Sequence, residues 1–176
     1  KLQSDGQPIR KDGPESHFVK KGTPTMGGVL MLLSIIITSS LWADLSNCFV
    51  QAALLIMLAF GLLGFADDYL KLRFKNSKGV SGRVKLFVQF LFAFVASLMI
   101  STNTPVPIKY ELAFPFAKNF YLSLGLIYII FTMIVITGAS NAVNLTDGLD
   151  GLAIGPVIIT AGCFGVISYL VGNAIF

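Results

Sequence analysis

The chain has 176 residues, of which 55% are hydrophobic and 12% charged, with mean hydropathy +0.77 and a formal net charge of +4. An ordinary soluble domain carries about 25% charged residues. The deficit and the long charge-free stretches exclude a soluble globular domain and point to an integral membrane protein. The basic balance does not point to nucleic acid, because the lysines and arginines flank apolar stretches. The chain begins at Lys1 rather than Met and closes on an apolar stretch at Phe176, so it reads as an internal fragment of a longer protein. The two cysteines, Cys48 and Cys163, lie in different segments and give neither metal spacing nor a disulfide framework.

In chain order, a polar N-terminal segment holds Lys1, Arg10, Lys11, the single histidine His17, Lys20 and Lys21. His17 reads as a loop residue. The string Gly22-Thr23-Pro24-Thr25-Met26-Gly27-Gly28 then enters the first apolar run. A loop running into a helix start exposes backbone N–H groups suited to anions; the plain alternative is a basic topogenic flank with an N-cap. The string is not a P-loop, since the Gly-x-x-x-x-Gly-Lys order is absent.

Five spans are expected, at about 27–43, 49–66, 86–101, 120–139 and 152–171, all within a single all-α membrane bundle covering 1–176. Residues 44–48 form a tight polar turn between the first two. Residues 102–119, with Pro105, Pro107 and Pro115, suit an ordered, hairpin-like loop. Trp42 and Tyr121 fit interfacial aromatic belts. Eleven of the thirteen basic residues fall before the first span or in the loop after the second; only Lys109 and Lys118 lie on the other side. Cytoplasmic loops carry such an excess. The N-terminal segment and loops 67–85 and 140–150 are therefore expected to face the cytoplasm at one membrane face.

Two acidic clusters emerge on that face. Gly64-Phe65-Ala66-Asp67-Asp68-Tyr69-Leu70-Lys71 closes the second span. Adjacent carboxylates repel and are costly near hydrocarbon, which suggests a divalent cation or a phosphate as their partner. On a helix they point about 100° apart, so one can approach a metal while the other faces a second reactant. Lys71, Arg83 and Lys85 can hold phosphate oxygens. The plain alternative is a helix C-terminal cap region, which the macrodipole disfavours for carboxylates.

The second cluster is Asn141-Ala142-Val143-Asn144-Leu145-Thr146-Asp147-Gly148-Leu149-Asp150-Gly151. Spacing by three sets Asn141, Asn144, Asp147 and Asp150 along a slowly turning helix face. Those groups can read a nucleobase and ribose or complete a metal shell, and Gly148 lets a ligand approach the backbone. The alternative is a polar connector with Asp147 or Asp150 as the N-cap of the last span.

These strings, with Pro14-Glu15-Ser16-His17-Phe18 and Lys20-Lys21 ahead of the first, closely resemble the phospho-N-acetylmuramoyl-pentapeptide transferases, within the polyprenyl-phosphate sugar-1-phosphate transferase superfamily. The resemblance runs over essentially the whole chain. It implies an inner-membrane enzyme of bacterial peptidoglycan synthesis, a phosphotransferase for substituted phosphate groups. Its reaction passes phospho-N-acetylmuramoyl-pentapeptide from UDP to undecaprenyl phosphate, giving lipid I and UMP, with Mg2+ as cofactor. By motif match, Asp67 would adjoin the lipid phosphate as base or electrostatic organiser. Asp68 would lie at the metal and diphosphate, and Asn144 would support the metal or the uridine diphosphate. Asn141, Asp147, Gly148 and Asp150 would line the uridine side, Lys20 and Thr25 the nucleotide site, and Lys71 and Lys85 would contact phosphate.

Direct attack by the lipid phosphate is the favoured route. A homodimer is compatible with the resemblance, and the sequence does not set the oligomeric state. The family has about ten spans, with a further aspartate and a histidine-rich loop downstream, so the 176 residues alone are expected to be inactive. Rival expectations are a UDP-N-acetylglucosamine transferase of the same superfamily, a cation-coupled transporter, and a noncatalytic scaffold. Transporter sites lie near the midplane rather than at the membrane edge.

Overall fold

The structure, a computed structural model, describes residues 27–74, 79–106, 109–114, 117, 120–147 and 152–173. Among these it contains five helices and one small hairpin: α1 (Gly27–Trp42), α2 (Cys48–Phe74), α3 (Gly82–Asn103), β1 (Glu111–Ala113), β2 (Tyr121–Ser123), α4 (Ile127–Thr146) and α5 (Ile154–Asn173). Four of the helices, α2 to α5, are long and apolar enough to cross a membrane. With α1 they make an all-α, polytopic membrane fold. The 16-residue α1 spans about 24 Å at 1.5 Å per residue, short of a hydrocarbon core of about 30 Å.

Two compact units divide the chain, residues 1–134 and 135–176. In the first, α2 and α3 pack antiparallel. The start of α2 meets the end of α3, where the Cys48 thiol donates to the Met99 carbonyl at 3.3 Å. The end of α2 meets the start of α3 through Asp67 and Lys85, 2.9 Å apart. The side chains buried on these helices are mostly small: Ala52 and Ala59 on α2, and Ala93, Ala96, Ser97 and Ser101 on α3. Lipid is as apolar as leucine, so helices associate there through close backbone approach, which small residues permit. Large apolar side chains such as Leu62, Phe87 and Phe94 are correspondingly exposed. At the α1–α2 crossing a Cβ on Gly61 would lie 2.7 Å from the end of the Leu32 side chain.

Several hydroxyls within the apolar helices bond their own backbone. Ser34, Thr38, Ser97, Thr132 and Thr146 each donate to the carbonyl four residues earlier. That pairing removes the cost of an unmet donor in a medium without water.

The α1–α2 turn is set by side-chain oxygens. Asp44 accepts from the Ser46 hydroxyl at 2.6 Å and amide at 2.9 Å, which holds its carboxyl below the usual carboxylate range. Asn47 caps α2 by accepting from the Phe49 amide at 2.9 Å.

The connection after α3 carries the antiparallel pair β1–β2, with Leu112 opposite Leu122. Phe120–Ser123 thus precede α4 rather than belong to it. Tyr121–Ser123 pair as strand, and the left-handed Gly125 (φ 52°) separates them from the helix. At its other end α4 continues past residue 139 to Thr146.

Ala93 is fully buried in the α2–α3 seam. Ala93→Leu should destabilise the protein by about 1–3 kcal/mol in detergent unfolding, whereas Val95→Leu, on an exposed face, should stay within about 0.5 kcal/mol.

Candidate active site

The apolar run of α2 ends at Ala66, but the helix continues to Phe74. Asp67 and Asp68 therefore lie within the helix, about two turns before its end, and not at a cap. Lys71 and Arg73 in the last turn suit the negative end of the dipole. An acid four residues before a lysine is the favourable helical order, and Asp67 uses it: its Oδ2 lies 2.6 Å from Lys71 Nζ.

Asp67 is buried, at 7% exposure. Its Oδ1 lies 2.9 Å from Lys85 Nζ on the first turn of α3 and accepts the Val80 backbone N–H at 2.7 Å. One carboxylate thus takes two ammonium groups and an amide from three segments. A cation in the first turn of a helix is opposed by the dipole. No acid in that turn of α3 offsets Lys85, so its compensation comes from Asp67.

Asp68 points elsewhere. It is half-buried, its Oδ1 lies 3.5 Å from Lys71 Nζ, and it borders a groove of about 570 Å³ between α1 and α2. Gly28, Leu32, Ile36, Leu58, Gly64 and Phe65 are among the apolar residues lining that groove, and among the described residues Asp68 is the one ionisable group in its wall. A buried, saturated carboxylate and a more open one at an apolar channel are the outcome of the 100° divergence. Through Gly28, the end of the glycine-threonine string reaches the same groove as Asp68.

The lysines expected at phosphate, Lys71 and Lys85, are here partners of Asp67. Arg83 is exposed. Gly79 and Val80 had no signal beyond a glycine in a basic loop, yet the turn they make contacts Asp67 directly.

In the second unit, Asn141 and Asn144 are helical and exposed near the end of α4. Asn141 Nδ2 donates to the Thr137 carbonyl at 2.8 Å. Asp147 follows the helix as an exposed turn residue, seven positions before α5 starts at Ile154, and so does not cap it. Val143, Thr146, Ala153, Pro156 and Val157 line a groove of about 440 Å³ between α4 and α5. Lys20, Thr25, Gly148 and Asp150 lie outside the described residues.

Among the described residues no three His, Cys, Asp or Glu side chains gather as a metal site. A hard cation such as Mg2+ takes one or two carboxylates and completes its shell with substrate phosphates and water. The half-open Asp68 fits that pattern; a preformed protein cage does not.

The family model described as glycosyl transferase family 4 matches residues 50–176, and signature 1 of phospho-N-acetylmuramoyl-pentapeptide-transferase matches residues 20–32. The chain is 54% identical over 176 residues to a phospho-N-acetylmuramoyl-pentapeptide-transferase of Granulibacter bethesdensis, covering 99% of this chain and 49% of that one. A protein of the same name from Gluconobacter oxydans is 53% identical over 177 residues, covering 100% and 49%. The chain spans about half the length of the curated relatives it matches.

Removing Asp67 leaves Lys71 and Lys85 without their shared acceptor. Asp67→Ala should cost about 1–3 kcal/mol in detergent unfolding, the range for hydrogen bonds to charged groups. Asp68→Ala, at a half-exposed group whose contact to Lys71 is the longer one, should cost less than Asp67→Ala.

Proposed function

The chain belongs to glycosyl transferase family 4, and on that premise we propose the reaction of the full-length protein. It transfers phospho-N-acetylmuramoyl-pentapeptide from UDP to undecaprenyl phosphate, releasing UMP and forming lipid I. One structural observation carries the reading: Asp68 stands where an apolar groove meets a cluster of lysines and carboxylates. A lipid phosphate needs that juxtaposition, with hydrocarbon on one side and charge control on the other. The signature at 20–32 supports the muramoyl donor over UDP-N-acetylglucosamine. Membership of a transferase family favours transfer over ion transport.

Phosphoryl transfer asks a protein mainly for positioning and charge neutralisation. Asp68 would hold a magnesium ion, with Asn144 as a further donor. When bound, the ion supplies neutralisation of the diphosphate. Asp67 acts as electrostatic organiser; of the two roles open to it, its saturation by Lys71, Lys85 and the Val80 amide supports this one over the base. Lys71 and Lys85, oriented by that carboxylate, reach phosphate oxygens. Asn141, Asp147, Gly148 and Asp150 bind the uridine part, and Lys20 and Thr25 line the nucleotide site. The lipid phosphate attacks directly. The excess of basic residues in the N-terminal segment and after the first acidic cluster supports a site on the cytoplasmic side of the bacterial inner membrane.

The test is UMP release by the full-length protein in detergent, with undecaprenyl phosphate and Mg2+. Release with UDP-N-acetylmuramoyl-pentapeptide alone is expected, and Asp68→Asn should lower kcat by about 10²–10³-fold. Release with UDP-N-acetylglucosamine instead moves the assignment to that donor. No metal-dependent release from folded protein defeats the transferase reading.

A further inference from the structure

Gly79 adopts a left-handed backbone, φ 56°. A Cβ at this position would overlap Asp67 Oδ1 and come within 2.9 Å of Asp67 Cγ and Lys71 Cε. The next residue, Val80, is the one whose N–H donates to Asp67 Oδ1. Two independent requirements therefore meet at one residue. The backbone there costs an ordinary L-residue about 1–2 kcal/mol, and the space a side chain would need is occupied by the carboxylate.

We propose that Gly79 is a positioning residue for Asp67: by lacking a side chain it lets the 79–80 turn close onto the carboxylate and lock its orientation. With Oδ1 committed to the Val80 amide and Lys85, and Oδ2 to Lys71, the carboxylate plane is fixed. Rotation about its Cβ–Cγ bond would break all three contacts at once. The ammonium groups of Lys71 and Lys85 are set in turn by that plane. A side chain at 79 pushes the turn outward, removes the amide and frees the carboxylate to rotate. The significance for turnover rests on the reading of Asp67 as part of the transferase site; the geometric claim does not.

The experiment is amide hydrogen exchange of the full-length protein in detergent, resolved to the Val80 N–H. Slow exchange is expected in the unmodified protein. Gly79→Ala and Asp67→Ala should each speed it by about tenfold or more, the scale of one charge-assisted hydrogen bond. Because both remove the same bond, the double variant should exchange no faster than either single one. Gly79→Asn tolerates the left-handed backbone but carries a Cβ, so it should behave like Gly79→Ala.

Fast exchange in the unmodified protein overturns the proposal. So does unchanged exchange in either Gly79 variant, a double variant faster than both singles, or equal loosening along all of α2 and α3. The second readout is UMP release. Gly79→Ala should lower kcat by about 100-fold, the scale for a misplaced site group, with KM for the nucleotide substrate within about twofold. It should add nothing in the Asp67→Ala background, and additive losses overturn the proposal. Should the unmodified protein release no UMP, the transferase reading falls, and the exchange cycle still decides the positioning claim.

Discussion

A carboxylate is costly to hold where a helix leaves hydrocarbon, unless its charge is met at close range. Asp67 is met three times: by Lys71 one turn along its own helix, by Lys85 on the next helix, and by an amide of the loop between. Much else follows from that arrangement. It ties the end of α2 to the start of α3, which fixes one end of the antiparallel pair. It lets α3 begin with a lysine against its own dipole. It also leaves Asp68, turned the other way, as the carboxylate accessible from the α1–α2 groove.

The remainder of the first unit shows how little hydrophobic force is available to hold such a helix pair. The buried side chains of α2 and α3 are mostly alanines and serines, with Leu72 and Gln89 beside them, and most bulky apolar side chains are exposed. Van der Waals contact between closely approaching backbones does the holding. Ser34, Thr38 and Ser97 close their hydroxyls onto their own helix. The charged contacts at the α2–α3 end therefore add directional specificity to a packing that small residues leave shape-tolerant.

Much of this was legible in the sequence. The apolar stretches announced the membrane helices. Repulsion within Asp67-Asp68 flagged the pair, whereas Asn141 and Asn144, expected in a loop beyond residue 139, lie in the continuing α4 helix. What hid from the sequence was non-local. Phe120, Tyr121 and Leu122 look like the start of a span, and only pairing with Glu111–Ala113 makes Tyr121–Ser123 strand. The continuation of α2 past Ala66 was masked by its charges, which would end an apolar span but suit a helix whose last turns stand in water. The partnership of Lys85 with Asp67 crosses a loop, and spacing carries no signal for it. Gly79 sits among lysines and serine, where a glycine ordinarily means only a turn; its reason is a carboxylate twelve residues earlier in the chain.

Within the contacting set at the end of α2, the carboxylates of Asp67 and Asp68 meet the ammonium groups of Lys71 and Lys85, so the formal charges of those four groups cancel, while Arg73 in the same helix turn stands outside the set. An electroneutral tetrad at the edge of a low-dielectric region is cheap to maintain, and any unbalanced charge added to it is expensive. A lone anion or cation set beside those four contacts would unbalance them, whereas a cation and an anion together would leave their sum unchanged.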